Sequence, residues 1–223
     1  MLQWISGITR TRHFHDIIEC LIAALEAKDM YTSGHSNRVA DMSYDLARAL
    51  GLKGQILESV HMAAHLHDIG KMGIPENVLC KSGRLLPHEW AQIQLHPQIG
   101  HNILCKSKEL YKIAEIVLHH HERWDGKGYP SGLQKEQIPL GARIIAVADS
   151  IDAMTSIRPY RKAMPWEVCK KEVLLNKRVQ FDPVVVEAAE EFWKRWEHQR
   201  PFVDSSTDGC VLKVVNKGDL VKA

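Results

Sequence analysis

Apolar residues recur at helical spacing along most of this chain. In the first such stretch, Ile17, Ile18, Leu21, Ile22 and Leu25 share one broad face, which predicts an amphipathic helix over 14–30. The same periodicity predicts helices at 39–50, 55–67, 87–95, 98–104, 110–120, 142–156, 166–176 and 183–196. The alternation of apolar and polar positions that is typical of strands is scarce. The pattern therefore predicts an all-α fold.

Two segments interrupt the helical pattern. Residues 125–139 contain three glycines and two prolines, and a loop of this length inside a compact domain usually has a function. After Phe202 the sequence becomes polar, and residues 211–221 fit either a small hairpin or a disordered tail. We therefore expect one helical domain that carries a long loop and a short C-terminal appendage.

Composition narrows the classes of function. The chain has 223 residues, of which 45% are hydrophobic and 25% are charged, and its formal net charge is +2. This nearly neutral balance argues against a nucleic-acid polymer as partner. We expect no membrane span, because no apolar run approaches the roughly 20 residues that a span requires. The five cysteines are far apart and follow no secretory leader, so we expect a cytoplasmic protein with reduced thiols.

Histidine is the unusual component, with thirteen residues that lie within the first 121 positions except for His198. Such an excess suggests a metal site, because imidazole is the commonest metal ligand. His67 and Asp68 stand at the end of a predicted helix, but such a pair is a weak signal alone. A histidine capped by its neighbour near a surface turn is the more frequent reading. The case therefore rests on the other candidates, which are His35, His96, His120, His121 and Asp149.

The adjacent pair His120 and His121 is the most informative of these candidates. Neighbours on an ideal helix diverge by about 100°, so both rings can approach one metal only where the helix ends. Asp125 and Gly126 follow closely and predict that end. Asp149 is informative for another reason, since an unpaired carboxylate in so apolar a helix would be costly and needs a cation.

Six short motifs occur in order along the chain. They are Tyr31-Thr-Ser-Gly-His35-Ser, His67-Asp-Ile-Gly-Lys71, His96-Pro, His120-His-Glu-Arg-Trp-Asp-Gly-Lys-Gly-Tyr-Pro130, Asp149-Ser-Ile-Asp-Ala-Met-Thr and Arg158-Pro-Tyr-Arg161. This ordered set resembles the HD-GYP subfamily of HD-domain phosphohydrolases over residues 20–196. The resemblance implies an HD-domain helical bundle, with a catalytic domain at 20–202 between an N-terminal helix or linker at 1–19 and a linker and tail at 203–223.

The resemblance also implies a site. It implies two divalent metal ions, iron or manganese ahead of nickel, cobalt or zinc. The ligands that it implies are His35, His67, Asp68, His96, His120, His121 and Asp149, with Asp68 as the bridge. It further implies Lys71 and Asp68 as catalytic residues, and Tyr129, Arg158 and Arg161 as contacts for the bases and phosphates of the substrate. Some members bind a third metal through a glutamate four residues before the first histidine, but Tyr31 stands there in this chain. We therefore expect a binuclear site.

The implied activity is hydrolysis of cyclic di-GMP to pGpG, to GMP or to both. One alternative is a receptor or protein-interaction module that binds the dinucleotide without hydrolysing it, with the Gly-Tyr-Pro loop as a contact for protein partners. Another is a hydrolase of the wider HD superfamily that acts on a different nucleotide, such as cyclic GMP-AMP. Because no ligand and no lysine of the set has been lost, the sequence favours an enzyme.

Three acidic residues outside the implied ligand set are candidates for support. We expect Glu122 and Asp125 to accept hydrogen bonds from ligand histidines, because a metal-bound imidazole usually donates its second N–H to such a group. Asp152 lies less than one turn after Asp149. Its position is equally consistent with a hydrogen-bond acceptor between packed helices and with a catalytic group.

Overall fold

Helices make up nearly all of the regular structure in this computed structural model, which describes residues 17–28, 34–81, 83–157 and 163–199. The helices are α1 (17–28), α2 (His35–Ala49), α3 (Gly54–Leu66), α4 (Glu76–Leu79), α5 (Pro87–Ile93), α6 (His96–Leu104), α7 (Tyr111–Leu118), α8 (Leu140–Thr155), α9 (Trp166–Leu175), α10 (Pro183–Ala189) and α11 (Trp193–Gln199). Within these residues, β-type pairing is limited to one bridge between Lys177 and Phe181. The all-α prediction is confirmed.

The core forms around α2, α3 and α8, which pack against one another, while α7 covers α3 and α9 covers α8. Helix α8 is apolar on most of its surface, and Ile144, Ile145 and Ile151 are fully buried. A helix that is apolar nearly all round is stable only when other helices surround it. Asp149 and Asp152 therefore lie on a helix that neighbouring helices enclose.

The last predicted helix, 183–196, is wrong in one respect, because it is two helices. Helix α10 ends at Ala189, and α11 begins at Trp193 after a turn. The break redirects the chain so that the Trp193 ring packs against the Trp166 ring of α9, with 6.4 Å between the ring centroids. It also allows Trp196 Nε1 to donate to Asp45 Oδ2 at 2.9 Å. Both tryptophans are buried in the core.

A short 3-10 helix, Ile69–Gly73, follows α3 and packs against α6. The approach is very close at Gly70, where a Cβ atom would lie 1.8 Å from the carbonyl oxygen of His96. Only glycine allows this contact, and it sets the start of α6 beside the end of α3. On the other side, Lys28 Nζ of α1 donates to the carbonyls of Met72 and Ile74 at 2.6 and 2.9 Å.

Several predictions concern residues outside the described ranges. These are the hairpin or tail after Phe202, most of the predicted N-terminal linker, Tyr31, Arg158 and Arg161. Among the described helices, none has both the length and the apolar character that crossing a membrane requires.

Candidate metal centre

Three of the predicted ligands form the first half of a cluster, with Asp68 beside them. His35 opens α2, His67 follows the last residue of α3, and Asp149 lies on α8. His35 Nε2 is 3.3 Å from His67 Nε2, 3.4 Å from Asp149 Oδ1 and 3.7 Å from Asp68 Oδ2. We call His35, His67 and Asp149 the first ligand group.

Three further histidines form the other half. His96 opens α6, and His120 and His121 lie in the turn after α7, which ends at Leu118. His96 Nε2 is 3.3 Å from His120 Nε2, and donor atoms of all three residues lie within 4.8 Å of one another. We call them the second ligand group. The helix ends before the adjacent pair, as the two converging rings require.

Asp68 lies between the two groups. Its Oδ2 is 3.4 Å from His67 Nε2 in the first group, and its Oδ1 is 3.5 Å from His96 Nε2 in the second. The carboxylate is buried, so its charge is poorly screened by water. Each oxygen of Asp68 thus faces a different ligand group, which is the geometry of a bridging carboxylate.

Helix ends orient three of the histidines. Nδ1 of His67, His96 and His120 donates to the carbonyl three residues earlier, at 2.7, 2.8 and 2.6 Å respectively. The carbonyls at the end of a helix have no partner within the helix, so each ring satisfies one of them. The same bond turns Nε2 of each ring toward the centre of the cluster.

His35 is oriented by a side chain and not by a helix-end carbonyl. Its Nδ1 donates to Asp152 Oδ2 at 2.7 Å, and Arg38 Nε donates to the other oxygen of Asp152 at 2.7 Å. Asp152 is fully buried, and its role is that of a hydrogen-bond acceptor. It fixes the ring of His35 as a carboxylate fixes many metal-bound imidazoles.

The two other expected acceptors have different partners. Glu122 accepts from the backbone N–H of Ser131 at 2.7 Å, and Asp125 pairs with Arg123 at 2.9 Å. The expectation that they orient ligand histidines is therefore wrong. Nδ1 of His67, His96 and His120 instead donates to helix-end carbonyls.

The arrangement of ring nitrogens fits a bound cation in each group. Because Nδ1 of His35, His67, His96 and His120 faces an oxygen that only accepts, each neutral ring carries a lone pair at Nε2. In the second group two such lone pairs, on His96 and His120, face each other at 3.3 Å. They repel unless a positive charge lies between them. Imidazole with carboxylate suits iron, manganese, cobalt, nickel and zinc.

The two groups differ in their protonation. In the first group burial opposes the charge of His67, but the carboxylates of Asp68 and Asp149 outweigh it and raise the pKa of His67 to about 9. In the second group burial lowers the pKa of His96 and His120, and it lowers the pKa of His121 to about 3. Without metal at neutral pH, the second group is therefore neutral while His67 carries a proton.

Lys71 lies at the edge of the centre. Its Nζ is 2.7 Å from Asp68 Oδ2, and its side chain remains partly exposed. Burial alone would raise the pKa of Asp68, but the charges of Lys71 and His67 hold it well below its usual range. Asp68 is thus an anion across the physiological pH range.

The long loop brings Tyr129 to the second ligand group. The Tyr129 ring lies 4.9 Å from that of His121, and burial raises the pKa of its phenol. Gly128 permits this position, because a Cβ atom there would lie 2.5 Å from Cα of Glu122. A small polar cavity opens beside the same group, lined in part by Asp149, Arg123, Ser150 and Gln180.

Comparison with known proteins identifies relatives over most of the chain. The family description HD domain matches residues 19–185. A cyclic di-GMP phosphodiesterase of Thermotoga maritima is 43% identical over 175 residues, which cover 78% of this chain and 48% of the relative. The cyclic di-GMP phosphodiesterase response regulator RpfG of Xanthomonas campestris pv. campestris is 41% identical, over 75% of this chain and 45% of its own length. The 3'3'-cGAMP-specific phosphodiesterase 2 of Vibrio cholerae is 39% identical, over 80% of this chain and 34% of its own length.

Solved structures share the fold. The crystal structure of a cyclic GMP-AMP specific phosphodiesterase of V. cholerae superposes with a TM-score of 0.63 at 19% identity, covering 84% of this chain and 51% of the other. The HD domain of the L. monocytogenes phosphodiesterase PgpH in complex with cyclic-di-AMP gives a TM-score of 0.56 at 18% identity, covering 82% and 98%. This chain spans no more than half the length of the three curated relatives above.

Proposed function

This chain belongs to the HD-domain family, in its HD-GYP group, and from that premise we propose that it is a metal-dependent phosphodiesterase that hydrolyses cyclic di-GMP. One observation carries the proposal above the others. The two ligand groups converge on opposite oxygens of a single buried aspartate, Asp68. Relatives that are about 40% identical in sequence over the aligned residues are named for this reaction.

The proposed ligands are the two groups and Asp68. We propose that the first group and Asp68 Oδ2 hold one divalent ion, and that the second group and Asp68 Oδ1 hold the other. Two such ions would activate water as the nucleophile near neutral pH and would neutralise the charge of the phosphoryl oxygens. We propose that these ions are iron or manganese.

The residues around the centre would bind and orient the dinucleotide. Lys71 can donate to the leaving oxygen or to an equatorial oxygen of the phosphoryl group, where charge develops in the transition state. Tyr129, packed on His121, borders the path to the centre and would contact a base or phosphate. Arg158 and Arg161 are proposed as further contacts, because guanidinium groups pair with phosphates and with the O6 and N7 atoms of guanine.

Hydrolysis can be tested directly. The protein would be purified without oxygen, loaded with iron(II) or manganese(II), and incubated with cyclic di-GMP. Chromatography would resolve pGpG and GMP, and the metal content would be determined on the same sample. Turnover with about two ions per chain supports the proposal. Tight binding without turnover in the metal-loaded protein contradicts it and favours a receptor.

Cyclic GMP-AMP is the second candidate substrate. It is favoured by a specific observation, namely that relatives of 38% to 40% identity are named 3'3'-cGAMP-specific phosphodiesterases. Competition between the two dinucleotides in one reaction would rank them by kcat/KM. Replacing Arg158 with Ala should raise KM for the preferred substrate while metal content stays unchanged.

Protein partners at the Gly-Tyr-Pro loop and a cytoplasmic location remain predictions.

A further inference from the structure

The small polar cavity beside the second ligand group contains a glutamine that the proposed mechanism does not use. Gln180 lies between α9 and α10, and it lines this cavity together with His120, His121 and Asp149 of the metal centre. A substrate whose phosphate lies at the centre would therefore place neighbouring atoms beside Gln180.

Gln180 is held in place at three points. Its backbone N–H donates to the carbonyl of Asn176 at 2.9 Å, and its own carbonyl accepts from the N–H of Trp124 at 3.0 Å. Its side-chain Oε1 accepts from Arg123 Nη1 at 3.2 Å. Fixing a long side chain costs rotamer entropy, and a group that is already fixed loses less when it binds a ligand.

The bond to Arg123 determines which end of the amide is free. A guanidinium group only donates, so the atom that faces it is the amide oxygen. Arg123 is itself held, because its Nε and Nη2 donate to the two oxygens of Asp125 at 3.1 and 2.9 Å. Among the residues that the structure describes, no group accepts a hydrogen bond from Gln180 Nε2. Gln180 therefore has N–H donors left for a ligand in the cavity.

Charge favours a base over a phosphate as the partner of this amide. The side chain of Gln180 is uncharged, and the charge of Arg123 is neutralised by Asp125. The carboxyl groups of Glu122 and Asp149 belong to residues that line the same cavity. Apart from the proposed metal ions, a phosphate would meet no uncompensated positive charge from these side chains.

A hydrogen-bond donor can select between the two purines. Guanine presents the acceptor O6 on the edge where adenine presents its N6 amino group, which is a donor. We propose that Gln180 donates to O6 of one guanine of the substrate and thereby favours guanine over adenine. This inference rests on the proposed function, because it assigns one base of the bound cyclic dinucleotide to the cavity.

Equilibrium binding separates the selection of the base from hydrolysis. Phosphorothioate analogues of cyclic di-GMP and cyclic-di-AMP resist hydrolysis, and in the second both bases are adenine, so either orientation places adenine at Gln180. Calorimetric titration of the metal-loaded full chain would give the Kd of each analogue. The ratio of the two Kd values removes effects on the phosphates, which both analogues share. We expect the unaltered chain to prefer the guanine analogue.

Variants of Gln180 test the assignment. Gln180→Met keeps the size of the side chain but removes its donors, so it should lower the preference for guanine about three- to tenfold, as the loss of one hydrogen bond predicts. Gln180→Glu can still accept from Arg123 but presents an acceptor in place of the amide donor, so it should lower the preference further. Gln98→Met, at an exposed glutamine of α6 that does not line the cavity, should leave the preference unchanged.

An equal weakening of both analogues by Gln180→Met would assign the amide to a phosphate and overturn the proposal. An unchanged preference in Gln180→Met, or no preference for guanine in the unaltered chain, would also overturn it. In each of these cases, hydrolysis of cyclic di-GMP by the unaltered chain would leave the proposed function intact. If the unaltered chain neither hydrolyses cyclic di-GMP nor binds either analogue, the proposed function fails and this inference fails with it.

Discussion

The first ligand group of the proposed metal centre holds one of its histidines by a carboxylate, whereas the second group holds two of its histidines by backbone carbonyls alone. In the second group, His96 and His120 are oriented by backbone carbonyls at the ends of helices, and no charged side chain takes part. In the first group, His35 depends on Asp152, which is itself paired with Arg38. The difference follows from position, since His96 and His120 come three residues after carbonyls at the ends of α5 and α7, whereas the ring of His35 faces Asp152 on α8. His67 of the first group is held in the same way as His96 and His120.

The same difference separates the groups electrostatically. The carboxylates around the first group raise the pKa of His67 to about 9, whereas burial without comparable compensation lowers the pKa of His121 to about 3. Two sites that share one aspartate can thus respond differently to pH. The predictions below test this asymmetry, beginning with the residue that both groups share.

Replacing Asp68 with Ala should have the largest effect, because it removes the carboxylate that faces both groups. We expect loss of both ions and a fall in kcat of about 10³-fold or more, since the ions supply several kcal/mol of transition-state stabilisation. Elemental analysis and product chromatography would measure both. Asp41→Ala, an exposed aspartate on α2, is the matched control. Retention of metal in Asp68→Ala would refute the bridging role.

Replacing one histidine in each group should remove one ion and leave the other. We expect metal content to fall from about two ions per chain to about one in His35→Ala and in His121→Ala, because each binuclear site then keeps one complete ligand group. Loss of both ions from either variant would mean that the two groups do not bind independently. Metal content per folded chain is the measurement.

Asp152→Asn should weaken the first group only. Asparagine removes the negative charge behind His35, and changes of this kind typically cost 10–100-fold in metal affinity. Asp182→Asn is a suitable control, because Asp182 is also buried and also pairs with an arginine, Arg143. The Asp182→Asn variant should have a lower Tm than the unaltered chain but the same metal affinity. An equal loss of affinity in both variants would attribute the effect to general destabilisation.

The pH dependence of metal binding should also separate the groups. His67 must lose its proton when metal binds, so affinity at the first group should rise about tenfold per pH unit below the pKa near 9. The histidines of the second group are already neutral, so affinity there should stay nearly constant. His121→Ala reports the first group and His35→Ala reports the second. Equal slopes in calorimetric titrations would contradict the assigned pKa shifts.

The raised pKa of His67 also predicts the behaviour of the metal-free protein. A folded-state pKa of about 9 against the ordinary 6.5 stabilises the fold fully below pH 6.5. That contribution should disappear as pH rises through 9. Tm of the metal-free chain should therefore fall over this window, and bound metal should remove the decline.

Sequence reasoning predicted the helices well, because periodicity and helix ends depend on residues within about four positions of one another. It also predicted that a helix ends at the adjacent pair His120 and His121, although α7 ends slightly earlier, at Leu118. It was wrong about Glu122 and Asp125, which lie close to those histidines in sequence but bind other partners. The acceptor that orients His35 is Asp152, which is 117 residues away. A second carboxylate less than one turn after Asp149 in an apolar helix was the available signal.

By itself the sequence determined the all-α class, the ends of most helices and the residues able to bind metal. Only the tertiary structure decided which of these residues face the same oxygen of Asp68, and that the predicted helix 183–196 breaks after Ala189 into two helices. The physical reason is that helix formation is a local property of the backbone. Convergence of side chains depends instead on how α2 packs on α8 and α6 on α7, and contacts between distant segments set that packing.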